Sequence, residues 1–271
     1  MSSKVFIIPV SAGKDSQAVL RWALERHDRK DCRVVHQFTG YDHPLTLEHL
    51  RYMERRYRVN IEFTRSEKYK DIFDFIRQAG YFPNALARGC TGRLKQYPFG
   101  AWLTREGFTT KGSALVYLGM RADESATRAS KYGALKNSDI FSLTDISPSA
   151  YPETKFGQVQ VCLPIVTWST EKVFAFLAHH KDKVNPLYKK GHKRVGCYPC
   201  LLANNFEWEQ ASKDPTGQAH IKKLLKIEAE FKRDKNPRKF IKIHKTRDVA
   251  TLLKTGKAEG NDADECGYCS I

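Results

Sequence analysis

One stretch near the start constrains the fold more than any other. Lys4-Val5-Phe6-Ile7-Ile8-Pro9-Val10 is apolar and β-branched, the pattern of a buried strand. Gln17-Ala18-Val19-Leu20 opens an amphipathic helix, with Asp15 or Ser16 expected as its N-cap. Between them lies a short turn of small and polar groups, Ser11-Ala12-Gly13-Lys14-Asp15-Ser16. A strand, a small-residue turn and a helix N-terminus make an anion site, because free N–H groups and the helix dipole face the ligand. Gly13 lets backbone approach a phosphate closely, and Lys14 adds a mobile positive charge. Asp15 has the chemistry to hold magnesium on phosphates. Ser11 and Ser16 add hydroxyl donors. The spacing is not that of a Walker A loop, which needs Gly-x-x-x-x-Gly-Lys-Ser/Thr.

The turn resembles the Ser-x-Gly-x-Asp-Ser pyrophosphate loop of the PP-loop ATP pyrophosphatases. That superfamily includes ATP sulfurylase small subunits, PAPS reductases and enzymes that adenylate and thiolate tRNA or DNA. An ordinary strand-to-helix turn uses the same residue types, so the rest of the chain must decide.

Further strands are expected at Arg33–Phe38, Asn60–Phe63, Ser113–Leu118 and Val159–Val166, with helices at Ser16–Arg26, Leu45–Tyr57 and Tyr69–Ala79. Strand–helix alternation at these lengths predicts an α/β fold: a Rossmann-like parallel sheet with helices on both faces. In such sheets, ligands sit at the carboxyl ends of strands. Lys131–Gly157 lacks periodicity and reads as a loop or short hairpin over the site. The expected domains are residues 1–204, nucleotide-binding, and 205–271, a basic helical extension with a cysteine-containing tail.

Three more stretches carry chemistry. Thr39-Gly40-Tyr41-Asp42-His43-Pro44 follows a strand and is similar to the Asp-Thr-Gly-x-x-x-Pro segment of sulfurylases and reductases, with Phe38 in place of the acid. Gly119-Met120-Arg121-Ala122-Asp123-Glu124-Ser125-Ala126-Thr127-Arg128 resembles the Gly-x-Arg-x-x-Glu-Ser-x-x-Arg motif of the PAPS reductase family. Arg121 and Arg128 suit bidentate phosphate or sulfate binding, and Glu124 is placed to orient Arg121. Asn185-Pro186-Leu187-Tyr188 with Arg194-Val195-Gly196-Cys197-Tyr198-Pro199-Cys200 resembles the Asn-Pro-Leu-Tyr and Cys-x-x-Cys segment of the same family.

The chain has seven cysteines, and clustered cysteines read as metal, iron–sulfur or redox groups. A Cys-x-x-Cys pair suits one metal, one cluster or a disulfide. Cys90 sits among Arg88, Arg93 and Lys95, and its segment resembles the Cys-Cys-x-x-Arg-Lys of iron–sulfur adenylyl-sulfate reductases, with Gly89 at the first cysteine. The resemblance implies Cys90, Cys197 and Cys200 as ligands of a 4Fe-4S cluster; zinc, with His192 as a fourth ligand, is the alternative. Glu265-Cys266-Gly267 looks like the C-terminal Glu-Cys-Gly of PAPS reductases, whose cysteine attacks sulfonyl sulfur, and Cys269 follows it.

The formal charge of +16 implies a polyanionic partner, most simply nucleic acid. Lys222, Lys223, Lys226, Lys235, Arg238, Lys239, Lys242, Lys245 and Arg247 continue a basic run along and beyond a helix at Gln218–Lys232. A solvated face has the same pattern. No apolar run reaches transmembrane length and no signal-peptide pattern opens the chain, so a soluble, cytoplasmic protein is expected. Together these features imply an enzyme of one of two kinds. The first binds ATP and magnesium through Ser11, Gly13, Lys14, Asp15, Ser16, Thr39, Gly40, Gly119, Arg121, Glu124 and Arg128. It adenylates DNA or tRNA and transfers sulfur from a donor such as a cysteine desulfurase, with Lys14, Asp15, Cys266 and Cys269 catalytic. The second is a PAPS or adenylyl-sulfate reductase using Cys266 and thioredoxin. A nucleotide-responsive nucleic-acid binder without turnover is the third reading. A homodimer is the expected assembly.

Overall fold

A computed structural model describes residues 4–84, 87–110, 112–238, 241–243 and 248–257. Cys266, Cys269, Lys239, Lys245 and Arg247 lie outside the described residues.

The first half alternates β1 (Val5–Pro9), α1 (Lys14–Leu24), β2 (Cys32–Gln37), α2 (Pro44–Tyr57), β3 (Ile61–Thr64) and α3 (Ile72–Ala79). A single turn α4 (Gly89–Thr91) runs through a π-helical segment, Gly92–Gln96, into α5 (Tyr97–Arg105). Then come β4 (Ala114–Tyr117), α6 (Ala126–Tyr132), β5 (Ile140–Ser142), α7 (Glu153–Phe156), β6 (Gln160–Cys162), α8 (Thr170–His179) and α9 (Pro186–Lys189). The chain closes on α10 (Asn205–Ser212), α11 (Pro215–Arg233) and α12 (Val249–Thr255).

The strand order is β3-β2-β1-β4-β6-β5, parallel except for β5, which pairs antiparallel with β6 at the edge. The expected parallel sheet is present. The stretch read as a loop or short hairpin, Lys131–Gly157, supplies the edge strand β5, antiparallel to β6, and the short helix α7; three-residue strands are too short to show a period. The side chains alternate across the sheet as the pleat requires. Ile7, Val35, Val116 and Val161 face one hydrophobic cluster with Phe99, Trp102 and Leu103 of α5. Ile8, Val34, Leu115 and Cys162 face the other, with Val19 and Leu20 of α1 and Val173 and Leu177 of α8.

A third cluster lies beside the sheet. Phe73 and Ile76 of α3 pack with Trp208, Ile221, Leu224, Ile227 and Phe231 of α10 and α11. Helix α11 is longer than the expected Gln218–Lys232, because Asp214 caps its start and Pro215 takes the first position. Among the described residues no helix is long and apolar enough to cross a membrane.

Chain order reverses between β1 and β4, which lie side by side with crossovers leaving in opposite directions. In an open parallel sheet that switch point opens a crevice at the carboxyl ends of the strands.

Candidate nucleotide-binding site

The crevice is a cavity of about 330 Å³. Its floor is the turn after β1: Ser11, Gly13, Lys14, Asp15 and Ser16 all line it. Gly13, in extended conformation, is the N-cap of α1, so the helix starts at Lys14, earlier than Asp15 or Ser16 as caps would place it. This brings Lys14, Asp15 and Ser16 into the first turn, where backbone N–H groups lack helical partners. The turn is held from within. Ser16 Oγ donates to Gly13 O at 3.1 Å, Ser11 N donates to Ser16 Oγ at 3.1 Å, and the two hydroxyls lie 3.3 Å apart. Ala12 takes φ +59°, an unusual backbone for a residue with a Cβ.

The Asn-Pro-Leu-Tyr string has a visible job. Asn185 Nδ2 donates to Ala12 O at 3.3 Å, and Tyr188 Oη accepts from Lys14 N at 2.9 Å. Both side chains brace the turn after β1 from 173 or 174 residues away. Burial raises the Tyr188 pKa, so this phenol stays protonated.

Gly119, at the end of β4, also serves the turn. A Cβ there would sit 3.0 Å from Asp15 C and Ser16 N. Only glycine lets the two strand-end loops meet this closely.

The two arginines of the same motif are not free for ligand. Arg121 is 1% exposed. Its Nε donates to Asp15 Oδ1 at 2.7 Å, and its other nitrogens reach Asp123, Trp168 O and Thr170 Oγ1. Arg128 is also buried and forms an ion pair with Glu124. Glu124 therefore pairs with Arg128 and accepts from the backbone N–H of Arg121; it does not orient the Arg121 guanidinium. Neither arginine side chain stands where the sequence reading put it, at a phosphate. Asp15 is engaged on both oxygens, by Arg121 Nε and by Lys14 Nζ at 2.9 Å.

The cations that do line the cavity are Lys14, Lys95, Lys193 and Arg194. The last two, which sequence reading did not single out, are exposed. Thr39 and Gly40 act one step back. Thr39 Oγ1 contacts Asp42 Oδ2 at 3.4 Å and Cys197 Sγ at 3.7 Å, and Gly40 takes φ +67° against Asp71. This presents Asp42, an acid four residues after Phe38, at the cavity wall, where it bridges to the backbone of Cys197. His36 lies beside it, Nε2 to Asp42 Oδ1 3.8 Å, with Nδ1 on Val10 O at 2.8 Å. Burial lowers the His36 pKa. His36 Nε2 and Gln37 Nε2 are buried without a hydrogen-bond partner, and both residues line the cavity. Buried polar atoms are normally paired, so a molecule in the cavity, water or ligand, is the natural partner for these two.

Cys197 and Cys200 line the same cavity. Cys90 lies outside its lining but packs against the third hydrophobic cluster, as Cys197 does. Among the described residues no group of three or more His, Cys, Asp or Glu side chains is arranged to hold a metal ion. The described side chains alone therefore do not make a cluster site, and no step below runs through one. At Gly89, a Cβ would lie 2.1 Å from Tyr81 Oη and 2.8 Å from Phe75, so tyrosine and phenylalanine fill the space a cysteine there would need. His192 is not available to zinc in this arrangement. Its Nδ1 meets Glu207 Oε2 at 2.7 Å and its Nε2 meets Tyr198 Oη at 3.1 Å. Glu207 in turn accepts from Lys193 N and Arg194 N, shaping the cationic wall. Cys32 and Cys162 are core thiols whose pKa burial pushes up to about 11, which removes them from thiolate chemistry.

Residues 6–203 match the phosphoadenosine phosphosulfate reductase domain family. The chain belongs to that family. It thereby falls in the PP-loop adenine nucleotide alpha hydrolase-like superfamily, as the turn after β1 implied. Among relatives, it is 27% identical to an uncharacterized 37.8-kDa protein of Escherichia phage 186, over 96% of this chain and 88% of that one. It is also 27% identical to the adenosine 5'-phosphosulfate reductase of Allochromatium vinosum, over 66% of this chain and 61% of the reductase. Among solved structures, the phosphoadenylyl-sulfate reductase of Candida auris, a phosphate complex, superposes with TM-score 0.51 at 14% identity, over 73% of this chain and 83% of the reductase. That likeness is one of fold.

Proposed function

We propose that this family member is an enzyme that binds ATP in the crevice, adenylates an acceptor with release of pyrophosphate, and supports sulfur transfer to that acceptor, a nucleic acid. The observation that carries the reading is the meeting, in one cavity, of a cation-lined phosphate turn with a cysteine pair. Lys14, Lys193 and Arg194 suit a polyphosphate better than a single sulfonate. The unpaired polar atoms of His36 and Gln37 suit a base or ribose. The charge of +16 suits a nucleic-acid acceptor.

The chemistry follows from the placement. The triphosphate draws Lys14 away from Asp15 toward the β and γ phosphates. Asp15, still held by Arg121, is the carboxylate that would hold magnesium, which neutralises the leaving pyrophosphate. An acceptor oxygen attacks the α phosphorus, the bond to the β-bridging oxygen breaks, and pyrophosphate leaves with that electron pair. A sulfur nucleophile then attacks the activated atom and AMP leaves. Cys197 or Cys200 is placed to carry that sulfur as a persulfide from a donor such as a cysteine desulfurase. Release by the neighbouring thiol leaves a disulfide for a dithiol such as thioredoxin to reduce. The thiol route needs no iron, and the expectation of a 4Fe-4S cluster on Cys90, Cys197 and Cys200 is decided by an iron and sulfide assay.

A second reading is favoured by the similarity to an adenosine 5'-phosphosulfate reductase. Cys266 would attack the sulfonyl sulfur, AMP would leave, and thioredoxin would release sulfite. One experiment divides the two. Anaerobically purified protein is assayed for iron and sulfide, for pyrophosphate release from ATP with and without DNA or tRNA, and for sulfite release from adenylyl sulfate. Nucleic-acid-stimulated pyrophosphate release, abolished in Asp15→Asn, is the expected result. Sulfite release abolished by Cys266→Ser, without ATP cleavage, would move the protein to the reductases. Absence of iron would remove the cluster and leave the thiol route.

A further inference from the structure

A second cleft, of about 580 Å³, opens on the other side of the wall that bounds the nucleotide cavity. The wall is shared. Lys95 faces the first cavity while Arg93 and Gln96, from the same π-helical segment, face the second. Gly119 lines the first and Met120 the second. The Glu124–Arg128 pair spans the divide, Glu124 toward the nucleotide cavity and the buried Arg128 toward the cleft.

The cleft's lining is chemically one-sided. It presents Arg88, Arg93, Arg128 and Lys131, and among the described residues that line it there is no carboxylate. Arg128 is neutralised by Glu124. Lys131 Nζ rests on two neutral carbonyls, Asp145 O at 2.8 Å and Ile146 O at 3.4 Å, so its charge is undiminished. The same cleft carries one exposed aromatic face. Tyr97 is 40% exposed, an unusual position for a large ring, and Arg93 stacks over it at 5.1 Å. Tyr132 lies beneath Lys131 at 5.2 Å. Cations that follow a backbone, interleaved with rings on which bases stack, are the features of a site for single-stranded nucleic acid. The volume suits a nucleotide-sized group. A duplex, whose bases are already stacked and paired, could not use the Tyr97 face.

We propose that this cleft receives the acceptor as a single strand, with phosphates on Arg93 and Lys131 and a base against Tyr97. The proposal rests on the reading that the acceptor is a nucleic acid, and it gives that acceptor a place: one wall away from the bound nucleotide.

The test uses the full chain and fluorescence anisotropy with labelled 12-nucleotide oligodeoxythymidylate, oligouridylate and a mixed-sequence DNA duplex. The two single strands distinguish DNA from RNA as the source of the ligand. Affinity for a single strand is expected to exceed that for the duplex. It should fall at least tenfold in the Arg93→Glu/Lys131→Glu double variant, with the slope of log affinity against log salt reduced by about 1 to 2. Tyr97→Ala should cost about tenfold, and Tyr97→Phe should restore it. These Tyr97 variants decide the matter if the charge-reversed protein fails to fold. Equal binding of duplex and single strand, or single-strand affinity within twofold of wild type in both the double variant and Tyr97→Ala, would overturn the cleft. Binding of the non-cleavable analogue α,β-methylene-ATP is measured in parallel. Analogue binding without any oligonucleotide binding defeats this inference and leaves ATP use standing. Cleft-dependent oligonucleotide binding without analogue binding defeats the ATP reading and leaves the cleft.

Discussion

The turns after β1 and β4 are alike in sequence logic and opposite in use. Each follows a parallel strand, each contains a glycine, and each carries cations beside a carboxylate. In the first, Lys14 lines the cavity, and across from it Lys193 and Arg194 stand exposed. In the second, Arg121 and Arg128 are 1% and 2% exposed and are tied to Asp15 and Glu124. A cation in such a turn therefore has two placements, facing the cavity or holding the frame behind it. Burial decides which, because a buried guanidinium needs its carboxylate in place before any ligand arrives.

The strongest check sets one residue of each kind side by side. Arg121→Met leaves Asp15 with Lys14 alone and strands Thr170 Oγ1 and Trp168 O. It should cost about 3–5 kcal/mol of stability in urea denaturation, the usual price of breaking a buried pair. Lys193→Ala should stay within about 0.5 kcal/mol of wild type while weakening binding of an ATP analogue. An Arg121→Met protein as stable as wild type would break the distinction.

The glycines sharpen it further. In Gly119→Ala the new methyl meets backbone of Asp15 and Ser16 at 3.0 Å, and backbone cannot swing aside. The turn after β1 must shift, at about 1–3 kcal/mol in thermal unfolding, and binding of an ATP analogue should weaken. Gly196→Ala, on the opposite wall with no atom within 4 Å of the new methyl, should change stability by no more than about 0.5 kcal/mol.

What was legible in the sequence divides along the same line. Strand β1, helix α1 and the turn between them were readable, because periodicity, glycine and a buried strand are local signals. The family was readable for the same reason, since its motifs are short strings. The partnerships were not. Arg121 reaches Asp15 across 106 residues, and nothing in Gly-x-Arg-x-x-Glu-Ser-x-x-Arg says that its arginines point inward. His192 looked like a ligand beside Cys197 until Glu207 and Tyr198 took both ring nitrogens. The acid expected at position 38 stands four residues later, at Asp42, which the motif does not mark. The role of Asn185 and Tyr188 as braces for the turn was visible only as a resemblance.

Behind the turn the frame is neutral rather than charged. Gln17 of α1 donates to Tyr57 Oη and Lys183 O and meets His49 Nε2 through its carbonyl at 2.9 Å, so His49 carries its proton on Nε2. Burial lowers the His49 pKa to about 4. An unfolded chain holds the same histidine near 6.5. Above about pH 6.5 both states are neutral and the network's stability is complete. As pH falls from there toward 4, the unfolded state takes a proton that the folded state refuses, and stability declines by about 1.4 kcal/mol per pH unit. Denaturant titrations between pH 7.5 and 4.5 should show this slope, superimposed on that of the other buried histidines, and His49→Gln should flatten it by about one proton's worth. An unchanged slope in His49→Gln would show that the histidine is not held neutral. The neutral half of the frame would then be as dependent on charge as the half that Arg121 holds.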